Sequence, residues 1–253
     1  MKIVVFTGAG ISAESGIMTF RDENGLWREK DWKELACAEA FQMGLISPHL
    51  KGNWKELACA EAFQSNHQRV LDFYNDRRRQ LATVHPNKAH LLLAQLEKHH
   101  DVTIITQNVD DLHERAGSTK VLHLHGDLRY VTSSKDPRNP EYTVEYPLDQ
   151  PIEVDSIMQD GSPMRPNVVW FGESVDNAPK AAGIIEKAEL FVVIGTSLKV
   201  YPAINLLMYP PANVPFYIID PKTKYRDGFH KVTHIESVAT EGVERLASEL
   251  NLL

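Results

Sequence analysis

A glycine pattern near the start of the chain is the first place where residue types and spacing point to chemistry. Gly8-Ala9-Gly10-Ile11-Ser12-Ala13 has the G-x-G-x-x-A spacing between a strand-like run and a helix-like one. Glycine lets the backbone approach a pyrophosphate, and the start of a helix offers unpaired N–H groups. A hydride-transferring dinucleotide site would add a second strand soon after, ending in an acid for the ribose. Here the next strand-like run begins near residue 102, and Phe20-Arg21-Asp22 lies in a Gly-punctuated stretch instead. The pattern therefore reads as a dinucleotide site of another chemical type. Gln107-Asn108-Val109-Asp110 gathers two amides and a carboxylate, residue types that also cap helices. His125 precedes Gly126, and an imidazole with an ordinary pKa of ~6.5 suits general-base work near neutrality. His123 lies two residues earlier, on the same face of a strand. The two histidines can be read as a metal pair, but no third ligand is evident, so no metal is expected.

Those residues need elements to hold them. Near-continuous apolar, β-branched runs recur at Ile3 to Thr7, Val102 to Thr106, Val121 to Leu124, Val168 to Trp170, Leu190 to Gly195 and Phe216 to Asp220. Strands buried on both faces of a parallel sheet read this way. Helical stretches lie between several of them, including 86–100, where Pro86 suits a first turn, and 242–250. The alternation predicts an α/β fold, a doubly wound parallel sheet of Rossmann-like type. The polar clusters follow strand ends: Gly8 to Gly10, Gln107 to Asp110, His125-Gly126, Gly195-Thr196-Ser197 and Asp220. Ligands bind outside the carboxyl ends of such strands, so five clusters converge on one crevice. Residues 28–85 look helical and 127–165 irregular. They predict a smaller second domain built from two insertions, leaving 1–27, 86–126 and 166–253 as the large domain. Trp32 to Gln42 reappears unchanged as Trp54 to Gln64, an offset of 22 residues. Eleven identical residues in two copies are unlike a solenoid repeat, which diverges and needs several copies. This is a recent in-frame duplication or a gene artefact.

The bulk properties exclude several classes. A net charge of -7 argues against broad nucleic-acid binding, which needs a positive surface. Two cysteines, Cys37 and Cys59, make neither a disulfide scaffold nor a four-cysteine zinc site. No run approaches the ~18 apolar residues of a membrane span. With no leader pattern at Met1, the expected location is cytoplasmic. Oligomeric state is not legible.

Gly8-Ala9-Gly10-Ile11-Ser12, Thr19-Phe20-Arg21, Gly25-Leu26-Trp27, Thr106 to Asp110, His125-Gly126, Val169-Trp170-Phe171-Gly172-Glu173 and Gly195-Thr196-Ser197 together resemble the sirtuin motifs. They come in that family's order and span nearly the whole chain. The resemblance implies an NAD-dependent lysine deacylase acting on acyl-lysine proteins or peptides. In that chemistry the acyl oxygen displaces nicotinamide from the ribose. His125 then acts as base on a ribose hydroxyl, which attacks the acyl carbon. The acyl group ends on ADP-ribose. The resemblance places Asn108 and Asp110 at the ribose and the nicotinamide carboxamide, and Gln107 beside the ribose. It places Phe20 and Arg21 over the cofactor, and Asp220 where the family often has asparagine for the adenosine ribose. Val169 to Glu173 resembles the segment that pairs with the substrate peptide through its backbone, which predicts loose peptide selectivity.

Two features stand apart within the family. Most members carry two pairs of cysteines after His-Gly, holding a structural zinc, whereas residues 126–167 here contain none. No zinc is expected, and packing of Tyr142, Tyr146, Leu148, Ile152 and Ile157 must hold the small domain. Phe73-Tyr74-Asn75-Asp76-Arg77 resembles the Tyr-x-x-Arg signature of sirtuins that remove acidic acyl groups such as succinyl and malonyl. Residues three apart share a helix face, so Tyr74 and Arg77 are expected to converge on one acyl carboxylate. Ala58, or its twin Ala36, stands where a small residue leaves room for a longer acyl chain. An NAD hydrolase or ADP-ribosyltransferase on the same scaffold is the alternative, and a non-catalytic NAD-sensing module a third reading. The peptide-pairing segment favours deacylation over the second. His125, Asn108 and Asp110 together count against the third.

Overall fold

The computed structural model of the chain describes residues 1–17 and 58–253. Phe20, Arg21, the first copy of the repeat and the start of the second lie outside the described residues. Six parallel strands form the main sheet in the order β3-β2-β1-β7-β8-β9. They are β1 (Lys2–Thr7), β2 (Asp101–Thr106), β3 (Val121–His123), β7 (Leu190–Ile194), β8 (Phe216–Ile219) and β9 (Val232–Ile235). The chain steps outward from β1 to β3, then returns beside β1 and steps outward again from β7 to β9. The order reverses between β1 and β7, and that reversal opens a crevice outside the strands' carboxyl ends.

Alternation along β1 builds both layers, because successive side chains point to opposite faces. Ile3 and Val5 join Leu93 and Leu96 of helix α4 (Lys88–Leu96) and Val243 and Leu246 of helix α7 (Ala239–Glu249). Val4 and Phe6 join Ala181 and Ile185 of helix α6 (Ala178–Ile185), with Leu206 and Leu207 of a 3₁₀ turn. Five of the six expected strand runs lie in this sheet. The sixth, Val168 to Trp170, does not. Its first residue ends β6 (Met164–Val168), which belongs to a second, antiparallel sheet. The edge strand β9 escapes a search for continuous apolar runs, because only Ile235 of its four residues is buried.

The stretch 127–165 is more ordered than its sequence implies. Strands β4 (Gly126–Ser133), β5 (Val144–Glu145) and β6 form a three-stranded sheet in the order β5-β4-β6. A register shift between Gly126 and Val131 breaks the alternation that would reveal β4. This sheet packs with helices α2 (Ala60–Ser65) and α3 (His67–Thr83) around a third core holding Phe63, Leu71, Tyr74, Leu128, Ile152 and Trp170. Ile152 is 1% exposed, and Tyr146 and Leu148 pack against this core, but Ile157 is 54% exposed and Tyr142 lies outside the cluster. Ile157 instead makes a bridge to Pro163 at the end of a hairpin, where little covers it.

Polar bracing does what those two side chains do not. Arg78, fully buried on α3, donates to the carbonyls of Leu128 at 2.9 Å, Tyr146 at 3.2 Å and Pro147 at 2.5 Å. Asn75 donates to Ile152 O at 3.0 Å and accepts from Ile152 N at 2.9 Å. Ser133 Oγ donates to Asp160 at 2.6 Å and lies 2.9 Å from Ser162 Oγ, tying β4 to the turn before β6. The second copy of the repeat contributes Ala58, Cys59, Ala62 and Phe63 to the third core, so it is a packed element rather than a surplus loop.

Candidate functional site

The two glycine loops at the crevice touch backbone to backbone. Gly10 N donates to Gly195 O at 2.7 Å, and Gly8 N to Ile194 O at 3.0 Å. A Cβ on Gly10 would lie 2.6 Å from Gly195 Cα, and Gly195 has φ +62. Only glycine permits that approach. Ile11, by contrast, is 0% exposed within the core, so a ligand meets its backbone rather than its side chain. Ala9 and Ser197 are half-buried beside these loops. Thr196 Oγ1 accepts from Gln107 Nε2 at 3.1 Å, which joins the ends of β7 and β2. Asp220 Oδ1 accepts from Lys222 N at 2.8 Å and Thr223 N at 2.6 Å, and Thr223 Oγ1 donates to Thr196 O at 2.9 Å. Asp220 thus shapes the loop after β8 and connects it to the crevice.

Asn108 and Asp110 are both nearly buried, each 7% exposed. Asn108 Nδ2 donates to Gly8 O and to Ser12 Oγ, each at 3.2 Å, and Ser12 Oγ donates to Asp110 Oδ2 at 2.9 Å. Ser12 therefore completes a relay that the sequence reading left unassigned, although it lies inside the glycine motif. Burial pushes the Asp110 carboxyl up to about 6, while the Ser12 and Leu112 N–H bonds pull it down. Asp110 Oδ1 also accepts from Leu112 N at 3.2 Å at the start of helix α5 (Leu112–Ala116), so it braces that helix end although the N-cap position belongs to Asp111. Asn108 does not cap; it turns toward the crevice.

His125 Nδ1 lies 2.9 Å from Gln107 O. A carbonyl only accepts, so Nδ1 carries the proton and Nε2 keeps its lone pair. Burial lowers the pKa below the usual imidazole value, against the opposing pull of the Gln107 bond. The ring is therefore neutral at neutral pH, as a general base must be. Gly126 has φ +88, and a Cβ there would meet Asn167 O at 2.1 Å, so the turn beside His125 requires glycine.

His123 faces elsewhere, because β3 ends at that residue and strand alternation no longer governs His125. Its Nδ1 lies 3.0 Å from Asn108 O and its Nε2 2.9 Å from Glu114 Oε1. The two-histidine pair does not form. Among the described residues, Glu114, His123 and Asp127 bring ligand atoms within 4.8 Å of one another. However, Arg129 donates to Glu114 at 2.9 Å and to Asp127 at 2.5 Å, so a guanidinium already occupies both carboxylates and offsets part of their charge.

The segment from Val169 to Glu173 hangs from His125. Val169 N donates to His125 O at 2.8 Å, and Phe171 N to Ala58 O at 2.9 Å. Glu173 accepts from Arg165 Nη1 at 2.6 Å and from Trp170 N at 2.7 Å, folding the turn around Gly172, whose φ is +89. Glu173 is thus a brace, while Phe171 and Gly172 stay exposed. Trp170 Nε1 donates to the Tyr74 hydroxyl at 3.0 Å, and the Arg165 guanidinium lies 3.3 Å over the Trp170 ring. Burial raises the Tyr74 hydroxyl above its usual range, keeping it neutral. Arg77 sits at the edge of α3's buried stripe, 5.6 Å over the Phe73 ring. Tyr74 and Arg77 share a wall but have separate partners. Arg77 Nε and Nη1 are buried and have no hydrogen-bond partner among the described residues.

Comparison with known proteins fits this geometry. The model of the Sir2 family matches residues 8–49 and 49–202. An NAD-dependent protein deacylase of Bacteroides thetaiotaomicron is 46% identical over 246 residues, covering 97% of this chain and 96% of the relative. One from Helicobacter pylori is 45% identical, covering 98% and 97%. Among solved structures, a Sir2 homologue in complex with ADP-ribose superposes with a TM-score of 0.78 at 32% identity, covering 100% of this chain and 94% of that one. A Sir2 variant with a peptide and NAD gives 0.70 at 27%, covering 99% and 94%.

Proposed function

The chain belongs to the Sir2 family, and we propose that its crevice removes acidic acyl groups, succinyl and malonyl, from protein lysines as well as acetyl. It is an NAD-dependent protein deacylase acting on protein or peptide substrates. When bound, NAD supplies the ribose carbon that takes up the acyl oxygen as nicotinamide leaves, and the ribose hydroxyl that receives the acyl group. The chain's own residues do the rest. His125 Nε2 takes the proton from that hydroxyl, and the Nδ1–H bond to Gln107 O steadies the imidazolium that results. Asn108, Ser12 and Asp110 form the polar floor that orients the nicotinamide end. The glycine loops at Gly8 to Gly10 and Gly195 to Ser197 bring backbone to the pyrophosphate, and Asp220 shapes the loop on the adenosine side. Trp170 and Phe171 wall the acyl-lysine from water. The observation that carries this reading is a pair of bonded runs side by side. Gly8, Ser12, Asn108 and Asp110 are joined in one run; Thr196, Gln107, His125 and Val169 in another, at neighbouring strand ends.

Support for the acidic acyl groups comes from Arg77. Buried guanidinium N–H groups are costly to leave unpaired, and a carboxylate supplies a forked acceptor that Arg77 Nε and Nη1 lack among the described residues. We further read the third core as a small domain that needs no zinc, braced by Arg78, Asn75 and Ser133. Cys59 is buried in the third core, and we assign the protein to the cytoplasm. Incubation with NAD and acetyl- or succinyl-lysine peptides should release nicotinamide and O-acyl-ADP-ribose in equal amounts. Nicotinamide without acyl transfer would instead show a hydrolase.

A further inference from the structure

His123 does not enter the chemistry above, yet its surroundings are unusual. Its side chain is 13% exposed. Its Nδ1 faces Asn108 O at 3.0 Å, and its Nε2 faces Glu114 Oε1 at 2.9 Å. A carbonyl cannot donate a proton. Glu114 Oε1 also accepts from Arg129 Nη2 at 2.9 Å, so that carboxylate is ionised. Both ring nitrogens must then carry protons. The backbone behind the ring is held as well, because Asn177 Nδ2 donates to His123 O at 2.8 Å.

The contact matters because of what it holds. Asn108 N donates to Thr106 Oγ1 at 3.0 Å, so the His123 bond fixes the other peptide group of the same residue. Between these two anchors the Asn108 carboxamide is aimed at Gly8 O and Ser12 Oγ. We propose that His123 is a positioning residue, an imidazolium whose Nδ1–H fixes the Asn108 carbonyl and thereby the carboxamide that meets the nicotinamide end of NAD. This rests on the reading of Asn108 as a cofactor-facing residue.

The charge balance favours this state. Glu114 from α5 and Asp127 from β4 face the ring, with Asp127 Oδ2 at 3.9 Å, and Arg129 offsets part of their charge. Asp110 also acts on the ring, as does His113, which burial keeps neutral. Burial opposes the charge on His123, but the Glu114 bond and the two carboxylates raise its pKa above the ordinary imidazole value. A raised pKa means that the imidazolium is complete on the acid side and is lost as pH rises through the raised value. Whichever proton leaves, a lone pair then faces either the Asn108 carbonyl or the Glu114 carboxylate. The positioning bond therefore weakens on the alkaline side. His125 acts in the opposite sense, since it must lose its proton to act as base. The two histidines give separate limbs of the pH profile.

The test is kcat and KM for NAD from about pH 6 to 9 in wild type, His123→Ala and His123→Asn. His123→Ala should lower kcat/KM for NAD roughly ten- to a hundredfold, the scale of a charge-assisted hydrogen bond. His123→Asn keeps an N–H near the Nδ1 position without the charge. It should recover most of that loss and abolish the alkaline limb. An unchanged alkaline limb in His123→Asn, or full kcat/KM in a folded His123→Ala, overturns the proposal. If His123→Ala does not fold, nitrogen NMR of histidine-labelled wild type decides. Both ring nitrogens should be protonated at neutral pH, and a neutral ring overturns the assignment. Asn108→Ala is run in parallel. Full activity there sinks the cofactor-facing reading of Asn108. Loss there with intact His123 variants sinks only the role of His123.

Discussion

Replacing Arg77 by methionine removes a guanidinium while keeping the length and apolar stem of the side chain. In the structure that guanidinium lies over Phe73, and its Nε and Nη1 are buried without a hydrogen-bond partner among the described residues. Burial lowers its pKa, while Asp76 pulls the other way, so the group stays charged. A succinyl carboxylate reaching it would form one charged hydrogen bond, worth ~1.5–3 kcal/mol, or about ten- to 150-fold in kcat/KM. Arg77 is only half-buried, so solvent screening puts the expected loss near the lower end of that range. An acetyl group has no carboxylate, so deacetylation should hold. Stability should also hold, because the substitution deletes buried N–H groups that have no hydrogen-bond partner among the described residues. The assay is kcat/KM on succinyl- and acetyl-lysine peptides of one sequence, followed by nicotinamide release. Equal losses on both substrates, or no loss on succinyl, would refute the reasoning and leave Arg77 a structural residue.

His125→Ala should cost ~10²–10⁴ in acyl transfer with little change in melting temperature or NAD affinity, and near-normal turnover would sink its assignment as base. Since burial lowers the His125 pKa, the wild-type rate should fall on the acid side only below the ordinary imidazole value. Arg78→Met removes the buried donor to Leu128 O and should destabilise the fold by ~1–3 kcal/mol in denaturant melts; a neutral result would show that packing alone holds the third core. Elemental analysis after chelator treatment should find no stoichiometric zinc, and one zinc per chain would contradict bracing by Arg78, Asn75 and Ser133. Deleting residues 32–53 leaves one copy of the repeat joined to α3 and should keep activity within a few-fold, because a long insertion adds little closure entropy. An unfolded or inactive deletion would mean that both copies are needed.

The linear sequence was enough for the main sheet and its chemistry, because both depend on short-range patterns. Strands buried on two faces read as near-continuous apolar runs, and β1, β2, β7 and β8 do. Backbones that touch at a crevice must be glycine, and Gly10 and Gly195 are. The relatives confirm the family that those motifs resemble. What the sequence could not settle depends on partners far away in the chain. Period-two alternation puts His123 and His125 on one face, but the strand ends at His123, and the two rings separate to Asn108 O and Gln107 O. Arg78 stands between two other arginines in the sequence, yet the 3.6-residue turn of α3 carries it into the core, where carbonyls from 128 to 150 take up its donors. Tyr74 and Arg77 share a helix face in sequence, but only the packing of Trp170, which comes 96 residues later, decides that the tyrosine hydroxyl is engaged while the guanidinium is left without a partner among the described residues.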